Sequence, residues 1–326
     1  MKKTSLKLLC TLGAFTLGAA SASAVDMLAP LEGPIDGINL DFTQDVSHIF
    51  ANDLKDVSFT SGSNTEDDIG VTRAKTTLTH RSELYAATFD VEGYYEFSRY
   101  QYDDKSTALP AGTSDKLFDN AHRVGLDLIG RYHFDECFGA YARMIGEMAA
   151  VNDGSMGQGG RFMGEIGASF SPIPDFSAYI GVLWTTFISA DSRVRPVAGF
   201  YWRPIDALDI GVRHSMSDIT GHVAWDVWVD GLLVLDFSVG YNLRQYRASD
   251  DLRNSLGALY DKPALYHQSV LWTLGATHNF SESFFLRGFV LLTTYDKYWI
   301  VNGDKGRGSF KSKTSFGLGV QGGIRL

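Results

Sequence analysis

From Val71 to the C-terminus, apolar and polar residues alternate with a period of two, in runs broken by turns and loops. The stretch from Arg161 to Ser189 shows it best. Phe162, Gly164, Ile166, Ala168 and Phe170 alternate with Arg161, Met163, Glu165, Gly167 and Ser169. After Pro172-Ile-Pro174-Asp175, Phe176, Ala178, Ile180, Val182, Trp184 and Ile188 share one face, opposite Ser177, Tyr179, Gly181, Thr185 and Ser189. Strand side chains project alternately, so this pattern predicts two amphipathic strands with one apolar face and one face of charge, Gly and Ser. Proline cannot donate to a ladder, so the two prolines mark the turn.

Similar runs follow one another from a weak strand at Asp56–Ser61 to Leu326. Tight turns are predicted at 81–83, 135–137, 172–175, 204–206, 230–231 and 281–283. Between them lie long polar or Gly-rich loops at 102–120, 152–160, 248–265 and 301–311. Phe134, Phe138, Phe170, Phe176, Trp202, Phe280 and Phe284 sit beside the tight turns, as an aromatic girdle would. Strands of about ten residues, with one set of connections short and the other long, describe a transmembrane β-barrel. A soluble sandwich uses shorter strands and gives no reason for the asymmetry. In lipid every backbone group is paired only if the sheet closes, which favours an even strand number. The expected fold is therefore all-β: a transmembrane antiparallel up-and-down β-barrel of about 14 strands, with 12 as the alternative, over residues 56–326.

Residues 1–24 have a signal peptide's layout: Lys2, Lys3 and Lys7, an apolar stretch from Leu8 to Ala20, and Ala22-Ser23-Ala24 before Val25. Only Cys137 then remains, so the exported chain has no internal disulfide. The formal net charge is -9, and loss of the signal lysines makes it more acidic. That argues against nucleic acid as a partner. Residues 25–55 are ambiguous. Ile38, Leu40 and Phe42 alternate, whereas Val46, Ile49, Phe50 and Leu54 recur at helical spacing. The expectation is an N-terminal periplasmic segment, or a plug within the lumen.

With its export signal, its turn–loop alternation and its final amphipathic strand, the chain resembles the porin-like barrels of Gram-negative outer membranes. Their last residue is usually Phe or Tyr; here it is Leu326. The resemblance implies an outer-membrane location, contact with lipid and lipopolysaccharide, insertion by the barrel assembly machinery, and small hydrophilic solutes as cargo. It leaves oligomeric state open.

If the apolar face meets lipid, the other face lines the lumen, because a charge facing mid-bilayer costs about 2–4 kcal/mol. The lumen-lining charges are then Arg73, Arg123, Arg131, Arg143, Glu147, Arg161, Glu165, Arg195, Arg213, Asp226, Arg244 and Arg287, joined by Lys75, Arg203, Lys313, Arg325, Asp90, Glu92, Glu96, Asp127, Asp209 and Asp236. Basic residues outnumber acidic ones on this wall, which predicts a weak anion preference. A passive diffusion channel is the leading expectation. The alternatives are a substrate-specific channel or receptor, and an adhesive barrel that works through its loops. Other motifs carry less. Gly317-Leu-Gly319-Val-Gln-Gly322 lies inside a strand with no helix after it, so the dinucleotide motif lacks its context. The histidines have no metal-ligand spacing, and no cofactor is expected. A barrel hydrolase would need His122, His214, His222 or His267 near Ser215, Ser217 or Asp218. The acidic clusters 66–68, 103–104 and 250–251 lack the spacing of a calcium loop. The facing has a direct test. Cysteine at Ile180 should react with a lipid-phase probe and cysteine at Gly181 with a water-soluble one; the reverse would invert the assignment.

Overall fold

In a computed structural model of the chain, antiparallel strands pair in chain order until the last closes on the first. The structure describes residues 39–55, 68–102, 119–152, 154–215, 218–228, 232–248, 263–281, 283–302 and 305–326. The signal segment, the Asp56–Ser61 strand, the Asp230-Gly231 turn and all but Asp68 of the acidic clusters lie outside them. The wall has 14 strands. They are β1 (Asn39–Lys55), β2 (Asp68–Leu84), β3 (Ala87–Tyr102), β4 (Asn120–His133), β5 (Phe138–Val151), β6 (Gly160–Ile173) and β7 (Phe176–Phe187). There follow β8 (Ala190–Ile205), β9 (Leu208–Ser215), β10 (Asp218–Asp226), β11 (Leu233–Arg247), β12 (Ala264–Ser281), β13 (Phe284–Asn302) and β14, in two segments, Lys305–Ser312 and Ser315–Arg325. β14 pairs with β13 on one side and β1 on the other, for example Phe42↔Ile324, so no edge is left at the seam.

The period-two pattern appears as facing. Ile166 and Ile180 are 67% and 66% exposed on the outer wall, while Arg161 and Glu165, one residue out of phase, are buried inside. Phe42, Leu78, Leu126, Leu274 and Leu318 extend the exposed apolar belt around the barrel. Burial of the charges and exposure of the hydrocarbon is the inverse of a soluble protein, and it suits a bilayer.

Three expectations about boundaries are corrected. Residues 39–55 are neither a periplasmic segment nor a plug; they form β1, the first wall strand. Phe42, Val46 and Phe50 are spaced by four, which fits a helix face and equally the outer face of a strand. Gln44 and His48 interrupt the apolar face, and each is met by its cross-strand neighbour. Thr76 Oγ1 donates to Gln44 Oε1 at 2.5 Å, and His48 Nδ1 lies 2.8 Å from Thr72 Oγ1. The turn placed at 81–83 is instead Tyr85-Ala86, with Tyr85 at φ 56°. Arg81 belongs to the ladder and donates from Nε to Asp90 Oδ1 at 2.6 Å. Most of the loop expected at 301–311 is strand: Tyr298 pairs with Phe310 and Trp299 with Ser309, and the rings of Tyr298 and Phe310 stack at 4.8 Å.

Inside, aromatic rings lie flat on glycines of the adjoining strands. A Cβ at Gly125 would come within 2.4 Å of the Tyr94 ring, and one at Gly181 within 2.4 Å of Tyr141 Oη. These glycines let large side chains fold against the wall instead of filling the bore.

At the end opposite the short turns, the described strands are drawn together. Arg247 of β11 pairs in parallel with Ala150 of β5, so two strands from opposite sides of the sheet meet across the mouth. Beneath that contact, inward side chains including Ile49, Val71, Tyr100, Val151, Tyr246, Leu265, Tyr298, Ile300 and Phe310 form a buried apolar cluster. Burying such side chains stabilises by about 1.5–3 kcal/mol each, so this end is held by packing as well as by the ladder.

Two outcomes are expected. Gly125→Leu should lower the yield of the folded, heat-modifiable form, because the branched side chain collides with Tyr94; an unchanged yield would contradict the close packing. Gly181 faces inward but has no room for a thiol, so Asn242→Cys, which borders the interior cavity, is the better position for the water-soluble probe.

Candidate functional site

The bore holds a cavity of about 210 Å³ bordered by Asp45, Arg73, Lys75, Glu92, Glu96, Arg123, Asp127, Glu147, Arg161, Arg213, Asp218, Arg244 and Arg287. Ladder register brings opposite charges together. Arg123 Nε and Arg161 Nε reach the two oxygens of Glu147 at 2.9 and 2.6 Å from the flanking strands, and the Tyr94 hydroxyl donates to the same carboxylate. Arg143, 1% exposed, is bidentate on Asp127, with Nε–Oδ1 at 3.0 Å and Nη2–Oδ2 at 2.5 Å. Arg287 and Asp236 bridge over β12 where Gly275 leaves space; a Cβ there would lie 2.4 Å from Asp236 Oδ2. Charged hydrogen bonds of this kind are short and directional, and they hold the long side chains in fixed positions.

One pair crosses the bore. Arg244 Nε on β11 donates to Glu96 Oε1 on β3 at 3.2 Å, joining walls 148 residues apart in sequence. The short hairpin β9–β10 narrows the bore further. Its ladder with β8 runs to Phe200↔Val212, and beyond it His214 is held from inside. The His214 amide donates to Tyr179 Oη at 3.0 Å, its carbonyl accepts from Arg143 Nη1 at 2.9 Å, and its ring Nε2 lies 2.7 Å from Arg195 Nη2. On the other side, Asp218 Oδ1 accepts from the Leu243 amide at 3.0 Å. Side chains thus replace the missing ladder bonds, and the hairpin end leans into the lumen.

Of the residues expected to line the lumen, Arg73, Arg123, Glu147, Arg161, Arg213, Arg244 and Arg287 border this cavity. Arg143 abuts it through Asp127, Glu165 accepts from the Tyr141 hydroxyl at 2.7 Å, and Arg195 is at His214. Arg131 sits lower, 2.7 Å from Asp90. Asp226 lies at the short-turn rim, where it accepts from the Trp228 amide at 3.3 Å. Lys313, also expected on the inner wall, is exposed at the interruption of β14. Among the aromatics beside the turns, Phe138 and Phe170 meet at 5.0 Å and Phe280 and Phe284 at 5.4 Å. Phe134 and Trp202 are exposed, and Phe176 pairs with Trp202 across the ladder. Sequence reasoning missed Asp45 and Tyr94 as bore residues, whereas Tyr179 fell on the polar face. A tyrosine across from a glycine on the polar face was the available signal. The histidines do not gather. His122 is bonded to Tyr95 at 2.8 Å on the outer wall, His222 rests on Gly211, and His267 lies 2.5 Å from Asp296 within the apolar end.

No family model and no curated protein matches the chain. Similar solved structures include an outer membrane channel from Pseudomonas putida F1 (TM-score 0.46, 11% identity, 93% of this chain and 100% of that one). Others are the Ralstonia pickettii toluene transporter TbuX (0.41, 10%, 91% and 93%) and Pseudomonas putida OprB (0.35, 10%, 88% and 94%). At these values no residue role or substrate carries over from them.

Asp127→Ala should be strongly destabilising, by about 3–5 kcal/mol, because it strips a buried arginine of its carboxylate. The double change Asp127→Leu with Arg143→Met should recover most of that loss. Urea midpoints of the refolded barrels in detergent measure both, and an unaltered single variant would contradict the buried pair.

Proposed function

We propose that this outer-membrane barrel is a narrow, selective channel for small polar solutes, with a preference for anions. The observation that carries it is the Arg244–Glu96 pair spanning the bore, which with the inward-leaning β9–β10 end leaves a cavity of about 210 Å³ where an open lumen could have been. A barrel of this strand number lies between the filled eight-stranded and the open 16–18-stranded forms, and here paired side chains take up the difference. A general diffusion pore, the leading expectation from sequence, is the less favoured alternative for that reason. The cavity is bordered by seven basic and six acidic side chains. Fixed charge of one sign at a constriction raises the local concentration of the counter-ion, so a small excess of Arg gives a mild anion preference. On this reading lipopolysaccharide surrounds the outer rim and the barrel assembly machinery inserts the chain.

Arg244→Ala combined with Glu96→Ala should enlarge single-channel conductance in planar bilayers at least twofold. Reversal potentials in a salt gradient should favour chloride in the wild type. Clear cation selectivity would contradict the charge argument, and unchanged conductance in the double variant would contradict the constriction.

A further inference from the structure

The wall has a second feature that a simple pore does not need. Among the described residues, the longest break in the ladder between neighbouring strands lies between β8 and β9 above Phe200↔Val212; the interruption of β14 at Lys313-Thr314 is shorter. β8 stays paired with β7 as far as Phe187↔Ala190, and β10 stays paired with β11 as far as Ile219↔Tyr241, so the rest of the wall holds. The continued register would oppose Ala198 to His214, yet the His214 amide and carbonyl are bound by Tyr179 and Arg143 instead. β8 carries Pro196 in this stretch, a residue that strands accept at an edge. Above the gap, Ile188 binds across to β11 and β12, its amide donating to Gln245 Oε1 at 3.0 Å and its carbonyl accepting from Tyr266 Oη at 2.6 Å.

Strands rise about 3.3 Å per residue and tilt about 40° in membrane barrels, so Ala198 stands roughly 10 Å and Val194 roughly 20 Å above Trp202. The apolar belt is about 25 Å tall, which puts the gap in the half of the bilayer nearer the long loops. An open ladder facing lipid is tolerated only where water or another group meets the backbone. Meanwhile, among the described residues, the axial route past the cavity is narrowed by the apolar cluster and the Arg247–Ala150 contact.

We propose that the channel opens sideways, through a window between β8 and β11 over the β9–β10 end, and that it passes small amphipathic organic anions between the charged cavity and the outer leaflet. This rests on the channel reading above. Arg195 stands at the inner rim, where it receives the anionic end, and Tyr241, paired with Ile219, faces outward. Val194, 68% exposed, and Ile219 stand at the outer rim beside the apolar body. Tyr179 lies across the inner side of the gap, its ring on Gly199 and its hydroxyl at His214. It is the door.

The test uses benzenesulfonate efflux from proteoliposomes, with Cys137 changed to Ser. Oxidised Ala198→Cys/His214→Cys, bridging the gap, should lose at least tenfold in flux and recover it on reduction. Oxidised Ile180→Cys/Ala198→Cys, a bridge within the intact β7–β8 ladder, should pass the probe at the wild-type rate, and Tyr179→Ala should raise flux several-fold. Full flux through the first bridge, in a protein that still gives single-channel steps, overturns the window and leaves the channel standing. A wild type that gives neither steps nor efflux overturns both. Hydrogen exchange of the unmodified protein in nanodiscs is the independent measure. The alternate amides of 190–199 that point away from β7 should exchange much faster than those of β7 at equal depth, and uniform protection of both strands contradicts the window.

Discussion

The structure depends on one constraint: in hydrocarbon, a backbone amide or carbonyl without a partner costs several kcal/mol, so the sheet must close. Closure explains the pairing of β14 with β1, as in Phe42↔Ile324, and the even strand number. It also makes the exception informative. Where the β8–β9 ladder stops, Tyr179, Arg143 and Asp218 supply the bonds that strands supply elsewhere. The β9 side of the break is thus bonded although the ladder does not continue.

The interior follows from the same economy. Charges cannot face lipid, so they turn inward, and once inside they must be paired to offset the loss of water. Register does the pairing: Arg161 lies directly opposite Glu147, and Arg123 lies two residues along from Glu147's other partner, Gly125, so the pleat puts all three on one face. The by-product is a constricted, charge-lined bore whose aromatic rings have been folded flat onto glycines. On the proposed channel reading, solute passage and wall stability draw on the same side chains, and a change to one alters the other.

The fold class was legible because alternation, turn spacing and flanking aromatics are local signals. The hairpin around Pro172–Asp175 shows this, with Ile166 and Ile180 outside and Arg161 and Glu165 inside. β1 was not legible, since apolar residues four apart suit two periods and the threonines that satisfy Gln44 and His48 lie on the next strand. The β2–β3 turn was displaced because Arg81-Ser82-Glu83 is more polar than Leu84-Tyr85, although Arg81 is bound to Asp90. The shape of the bore was beyond reach for a different reason. Arg244–Glu96 and Arg247–Ala150 join strands from opposite walls, and no local period encodes which strands face each other across a closed sheet.

The central claim is that paired side chains, and not the diameter of the barrel, set the size of the passage. Single-channel recording beside an open 16-stranded porin in the same bilayer and salt tests it most directly. The account predicts steps several-fold smaller than the porin's, disproportionately so for the difference in strand number. Steps that scale with strand number alone would contradict it.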